Sequence, residues 1–333
     1  MSIAQSLRAD LVFEGGGVKG IALAGAFREL SDRGYQPECV AGTSAGAITA
    51  ALVAAGYSGA EVEEIVLHQM RFPDFEDSAF LDHFGKLGGA EEFLIHRGMH
   101  SGDYFLGWMR KLLEAKGATT FGDLRNPPGS AGNREYRLQV VVSDLTARSM
   151  LVLPRDAAQL GIERPDDLGI AEAIRMSMSI PVFFAPVVFR NPRTAVDHVI
   201  VDGGLLSNYP IWLFDSPAAT LPEFPTFGMT LVAPGQRAPL APNPPPGAVL
   251  PDLGGSVEFL KAIVSTMLQG RDRFYIDADN FARTIPIPTL GVTTTDFAIT
   301  PAQSQALFDS GRAAAGKFLG AWDFAAYKKQ FRS

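Results

Sequence analysis

Apolar and polar positions change period repeatedly along the first half of the chain. Leu11-Val12-Phe13 is a short apolar run of strand length, closed by Glu14 and three glycines. Residues 21–30 carry apolar positions at helical spacing, and the run stops near Gly34. Cys39-Val40-Ala41 predicts a second buried strand. Residues 45–55 predict an Ala-rich helix with Gly56 as its C-cap, and residues 60–70 a further helix. Strand, helix, strand, helix in this order implies right-handed crossovers and a parallel sheet, so the fold class is α/β.

The pattern blurs between residues 71 and 101, where Phe72, Phe75, Phe80, Phe84 and Phe93 stand among charges and glycines. Beyond it the spacing predicts a helix over 102–116, strands over 136–142 and 150–153, and a helix over 168–178. A strand over 196–201 runs into Asp202-Gly203-Gly204, and another is expected over 227–232. Residues 234–251 are rich in proline and read as a surface loop, with helices over 257–273 and 301–319. No internal repeat and no clean linker divides the chain. One domain over 1–333 is expected, its motif-bearing core spanning about 10–209 and the remainder, 210–333, completing it.

Composition narrows the class. The 333 residues are 47% hydrophobic and 20% charged, which excludes a disordered or fibrous chain. Cys39 is the single cysteine, so neither an intramolecular disulfide nor a zinc site built on several thiolates can form. The net charge of −7 and the lack of any long Lys/Arg run argue against nucleic acid as a partner. The N-terminus carries no apolar core of a secretory signal, and no window reaches the length of a spanning helix. A cytoplasmic protein is therefore expected.

Three glycine-rich turns carry the candidate chemistry. Gly42-Thr43-Ser44-Ala45-Gly46 fits G-x-S-x-G, in which a serine sits on a sharp strand-to-helix turn and its flanking positions must be small. The predicted strand before it and helix after it suit a nucleophile at Ser44, with the helix N-terminus favouring developing negative charge. Gly15-Gly16-Gly17-Val18-Lys19-Gly20 fits G-x-G-x-x-G. As a dinucleotide site it would need an acidic residue at the end of the next strand, but Glu38 precedes that strand. As an oxyanion hole it would present the backbone N–H groups of Gly15, Gly16 and Gly17. A plain tight turn is the third reading, and Lys19 is assigned no role. A histidine base would be expected late in the chain, yet His68, His83, His96, His100 and His198 all lie at or before residue 198. Asp202, ending the apolar run Val199-Ile200-Val201 before two glycines, is the best base, with Asp197 and Asp144 next.

Together these turns resemble the patatin-like phospholipases. The likeness rests on Gly15 to Gly20, on Gly42 to Gly46 and on Asp202-Gly203-Gly204, helped by the stretch from Ala173 to Val187, and it covers about Asp10 to Tyr209. It implies a three-layer α/β/α fold with a central, mainly parallel sheet. It also implies a Ser44–Asp202 dyad, with Gly15, Gly16 and Gly17 as oxyanion donors. Lys19, Gly20, Gly42, Gly46, Gly203 and Gly204 would support the motifs. The implied activity is hydrolysis of acyl esters in phospholipids or related lipids through an acyl-enzyme, with no metal or cofactor. Partners would be the lipid substrate and a transient membrane-surface contact, which the net charge of −7 makes local. The phenylalanines at 72–93 or the Pro-rich run could form a lid, although satellite core is the simpler reading. Two alternatives stay open: an effector that is inactive without a partner or ligand, and a nucleotide-binding protein using the first glycine loop.

Overall fold

The computed structural model describes residues 7–70, 102–130, 132–181, 183–215, 221–234 and 278–332. The phenylalanines at 72–93, nearly all of the Pro-rich run and the helix expected over 257–273 lie outside them. An eight-stranded sheet runs in the order β5-β6-β3-β2-β1-β7-β8, with β4 also on β3. Its strands are β1 (Leu7–Phe13), β2 (Tyr35–Thr43), β3 (Leu138–Asp144), β4 (Ser149–Leu153), β5 (Val187–Arg190), β6 (Asp197–Asp202), β7 (Thr226–Val232) and β8 (Thr284–Pro288). The block β3-β2-β1-β7-β8 is parallel throughout, while β4 and β6 run antiparallel to β3.

The helices are α1 (Ile21–Asp32), α2 (Ala45–Ala54), α3 (Gly59–Glu64), α4 (Asp103–Ala115), α5 (Ile170–Ser177), α6 (Ala278–Ala282), α7 (Pro301–Ala321) and α8 (Phe324–Phe331). On one face of the sheet α1, α2, α5 and α7 build the main core with Phe13, Phe227 and Phe308. The other face buries Val12, Ala41 and Val141 under the segment Tyr209–Phe214, with Phe281 of α6 against it. Every residue of α2 is buried, which the small side chains of AGAITAALVA permit. The helix therefore sits inside the molecule, with its N-terminus delivered by β2.

Two strands escape the sequence pattern. Residues Thr284–Pro288 read TIPIP, and proline breaks a strand pattern. The segment is nevertheless β8, at the edge of the sheet, where missing N–H groups are tolerated. β5 arises from an apolar stretch interrupted by Pro181 and Pro186. It forms the opposite edge, with its exposure alternating along the strand. The expected strand over 150–153 is β4, the antiparallel neighbour of β3.

The pairing around β3 positions the site. Along one edge of β3, Leu138 to Val141 pair with β2, and Val142 to Asp144 pair with β6. The opposite edge is taken by β4 across Val140–Asp144. β2 and β6 therefore share one edge of β3 and run head-on. Thr43 lies opposite Val141 and Asp202 opposite Val142, so the carboxyl ends of the two strands meet.

Candidate active site

Ser44 stands between β2 and α2 with φ 54° and ψ −128°, a conformation that L side chains avoid. Such strain persists only where neighbours fix it. Here the Ser44 N–H donates to Ser177 Oγ at 2.8 Å, and Ser177 in turn donates to the Val141 carbonyl at 2.7 Å. The glycines flanking the serine are needed for close approach. A Cβ on Gly42 would lie 2.3 Å from the Gly46 carbonyl oxygen, and one on Gly46 would lie 2.4 Å from that of Phe13. The first turn of α2 thus rests directly on the end of β1.

Asp202 ends β6 and is fully buried. Its Oδ1 accepts the Gly204 N–H at 2.7 Å, whereas Oδ2 is buried without a hydrogen-bond partner. Burial pushes its carboxyl up to about 7, against the opposing pull of the Ser44 hydroxyl and the Gly204 N–H. The resting Ser44 hydroxyl is directed at Met178 Sδ, 3.9 Å away, so it influences Asp202 without a formed bond to Oδ2. Loose catalytic hydrogen bonds are usual in unliganded sites. Asp202 N also donates to the Ser179 carbonyl at 2.9 Å, fastening the end of β6 to the chain just after α5.

The glycine turn after β1 lies beside the serine turn, because Phe13 and Gly42 are register partners. Its three N–H groups are not equivalent. That of Gly15 donates to the Asn208 carbonyl at 2.9 Å, so it is not free to hold an oxyanion. Those of Gly16 and Gly17 meet no acceptor among the described residues. Gly17 has φ +54°, and a Cβ there would strike the Thr294 carbonyl at 2.1 Å. Gly20 packs against Ala45, where a Cβ would stand 2.7 Å from that of Ala45. Lys19 is half-buried, and burial lowers its ammonium pKa while the Glu14 carboxylate acts the other way.

Beyond the serine lies an apolar cavity of about 20 Å³, walled by Ile48, Val66, Met70, Met178, Phe184 and Phe297. That is room for little more than one water.

The other candidate bases are placed elsewhere. Asp144 accepts from Thr146 N and Ala147 N, and its second oxygen lies 2.6 Å from His198 Nδ1. Asp197 pairs with Arg190. Glu38 is ion-paired with Arg8 near the amino ends of β1 and β2, away from the glycine turn. Cys39 is buried, and burial pushes its thiol up to about 12. Sequence reasoning missed Asn208, Glu14 and the anchoring role of Ser177. These are hydrogen-bonding roles that no local spacing announces.

A family model described as patatin-like phospholipase matches residues 11–215, a span that contains all three turns. The chain belongs to the patatin-like phospholipase family. A Bacillus subtilis (strain 168) protein, YqhO, is 36% identical over 320 residues, covering 95% of this chain and 99% of its own. R571 of Acanthamoeba polyphaga mimivirus is 28% identical over 219 residues, 64% of this chain and 63% of that one. Among solved structures, VipD from Legionella pneumophila superposes with a TM-score of 0.52 at 19% identity, covering 94% of this chain and 67% of VipD. ExoU of Pseudomonas aeruginosa, in its heterodimeric complex with SpcU, gives 0.51 at 19% identity, covering 95% of this chain and 51% of that one. This patatin-like chain thus spans about half of that ExoU complex's matched chain, and the likeness to both structures is one of fold. It is the three-layer α/β/α arrangement with a mainly parallel sheet. No helix among the described residues of this family member is long and apolar enough to cross a membrane.

Proposed function

We propose that this chain is a serine lipid acyl hydrolase that cleaves acyl esters of phospholipids or related lipids through a Ser44–Asp202 dyad. The observation that carries the reading is the meeting of β2 and β6 on β3. It brings the strained serine turn to the end of the strand that carries a buried carboxylate whose Oδ2 has no hydrogen-bond partner. Ser44 Oγ attacks the ester carbonyl carbon while its proton passes to Asp202 Oδ2. The carbonyl oxygen becomes an oxyanion facing the N–H groups of Gly16 and Gly17 and the N-terminus of α2. Collapse breaks the ester C–O bond, and Asp202 returns the proton to the departing alcohol. Water then attacks the acyl-Ser44 ester with Asp202 again as base, releasing a fatty acid and restoring the hydroxyl. The cavity behind Met178 receives the start of the acyl chain.

A fluorophosphonate probe is expected to label the protein at Ser44, with labelling and p-nitrophenyl ester hydrolysis both lost in Ser44→Ala. A Ser44→Ala protein that hydrolyses these esters at the wild-type rate would sink the assignment.

A second reading is favoured by the small cavity and by the hydroxyl resting on Met178. In it the enzyme is an effector that is inactive without a partner or ligand. A lipid panel assayed with and without cell extract separates the two, since a free-standing enzyme gains nothing from the extract.

A further inference from the structure

We propose that Asn208 is a positioning residue for the oxyanion donors, acting through the peptide groups on either side of Gly15. The proposal rests on the serine-hydrolase reading above. The Gly15 N–H donates to the Asn208 carbonyl, and Asn208 Nδ2 donates back to the Gly15 carbonyl, both at 2.9 Å. A peptide group is planar and trans, so the Gly15 carbonyl and the Gly16 N–H belong to one rigid plate and point in opposite directions. Pinning that carbonyl therefore aims the Gly16 N–H. Successive glycines have no side chains of their own to hold the turn, so its direction must come from outside. Space is tight as well: a Cβ on Gly15 would stand 2.2 Å from Asn208 Oδ1.

Asn208 is itself held at both ends. Its Nδ2 also donates to Glu14 Oε1 at 3.3 Å. The other oxygen of Glu14 accepts from Thr230 Oγ1 at 2.7 Å and from the Leu231 N–H at 2.5 Å, which anchors it to β7. The preceding residue, Ser207, donates its N–H to the Gly203 carbonyl at 2.9 Å and accepts from Thr43 Oγ1 at 3.1 Å. One short segment thus joins the turn after Asp202, the residue before Ser44 and the glycine turn. Asn208 touches no reacting atom; it sets where a donor points.

The test uses the full chain and three readouts. Asn208→Ala is expected to lower kcat roughly 100- to 1,000-fold, the range for losing an oxyanion donor, with KM within about threefold. A fatty alkyl trifluoromethyl ketone adds Ser44 Oγ to its carbonyl and carries the resulting oxyanion, so its affinity should fall by the same factor as kcat/KM. The third readout is an exchange. Asn208→Asp puts a carboxylate against Glu14, and Glu14→Gln on top of it restores a donor–acceptor pair with the roles reversed. A carboxylate has no N–H for the Gly15 carbonyl. The double variant should therefore regain thermal stability over Asn208→Asp alone while kcat stays low. Recovery of kcat along with stability would make Asn208 a packing residue only. So would an Asn208→Ala enzyme within threefold of wild type, or unchanged ketone affinity. If wild-type protein neither takes a fluorophosphonate label nor turns over esters, the hydrolase reading itself fails. An active wild type with an equally active Asn208→Ala variant overturns the positioning role alone.

Discussion

Asp202→Asn exchanges a buried, ionisable carboxyl for a neutral amide of nearly the same shape, and so separates chemistry from folding. Burial holds the carboxyl near 7 where an ordinary one titrates at 3.8, a gap worth about 4 kcal/mol. The sign follows from which state holds the proton. Below about pH 4 both folded and unfolded chains keep it, and this contribution to stability is fully present. As pH rises towards 7 the unfolded chain releases the proton and the folded one does not, so wild-type stability falls. Above 7 the full penalty of a buried charge remains. An amide carries no such penalty. The variant should therefore match wild type near pH 4 and exceed it by up to about 4 kcal/mol at pH 8. Asp10, in the middle of β1 and also pushed up to about 7 by burial, contributes the same slope to both proteins and cancels. Urea denaturation from pH 4.5 to 8 measures the difference. A gain equal at both ends of that range, or no gain at pH 8, would refute the reasoning. In the same proteins, wild-type kcat/KM should climb about tenfold per pH unit below 7 and level off above it, while the variant lies several decades lower above pH 7 and lacks that pH dependence.

Two further outcomes follow from the same geometry. Ser44→Gly removes a side chain held at φ 54°, so it should abolish esterase activity yet raise stability by about 1–3 kcal/mol in urea denaturation. A loss of stability would mean that the turn is not strained. Phe297→Ala removes a cavity wall that packs edge-on against Phe184, with ring centroids 6.0 Å apart. It should shift the preference among p-nitrophenyl esters towards longer chains at a cost of about 3 kcal/mol in stability. An unchanged chain-length profile would place the acyl chain elsewhere.

Much of the fold was legible because β1, α1, β2 and α2 announce themselves locally, through apolar period and glycine punctuation. The G-x-S-x-G turn is legible locally in part, because Gly42 answers to Gly46 within one turn, whereas Gly46 answers to the end of β1. Other features depend on distant parts of the chain. Residues 284–288 carry two prolines, and only their place at a sheet edge makes them a strand. Gly15 looks like Gly16 and Gly17 in sequence; what distinguishes it is a hydrogen bond to Asn208, far along the chain. The proposed pairing of Ser44 with Asp202 rests, in the sequence, on the want of a late histidine, on the apolar run and glycines around Asp202, and on the family resemblance. Its physical basis, two strands sharing one edge of β3, leaves no mark in local periodicity.

That shared edge makes β3 a common ruler on which Thr43, the residue before the proposed nucleophile, and Asp202, the proposed base, stand at adjacent graduations, Val141 and Val142. Their spacing is then a property of one strand's rise per residue. Between Ser44 and Asp202, connections other than β3, α2 and the Ser177–Ser179 anchor can change length without resetting that spacing. Slippage of either strand by a single residue would instead carry its proposed catalytic group to the wrong face of the sheet. The arrangement thus gives natural variation a wide field for altering substrate access and a narrow one for altering the chemistry.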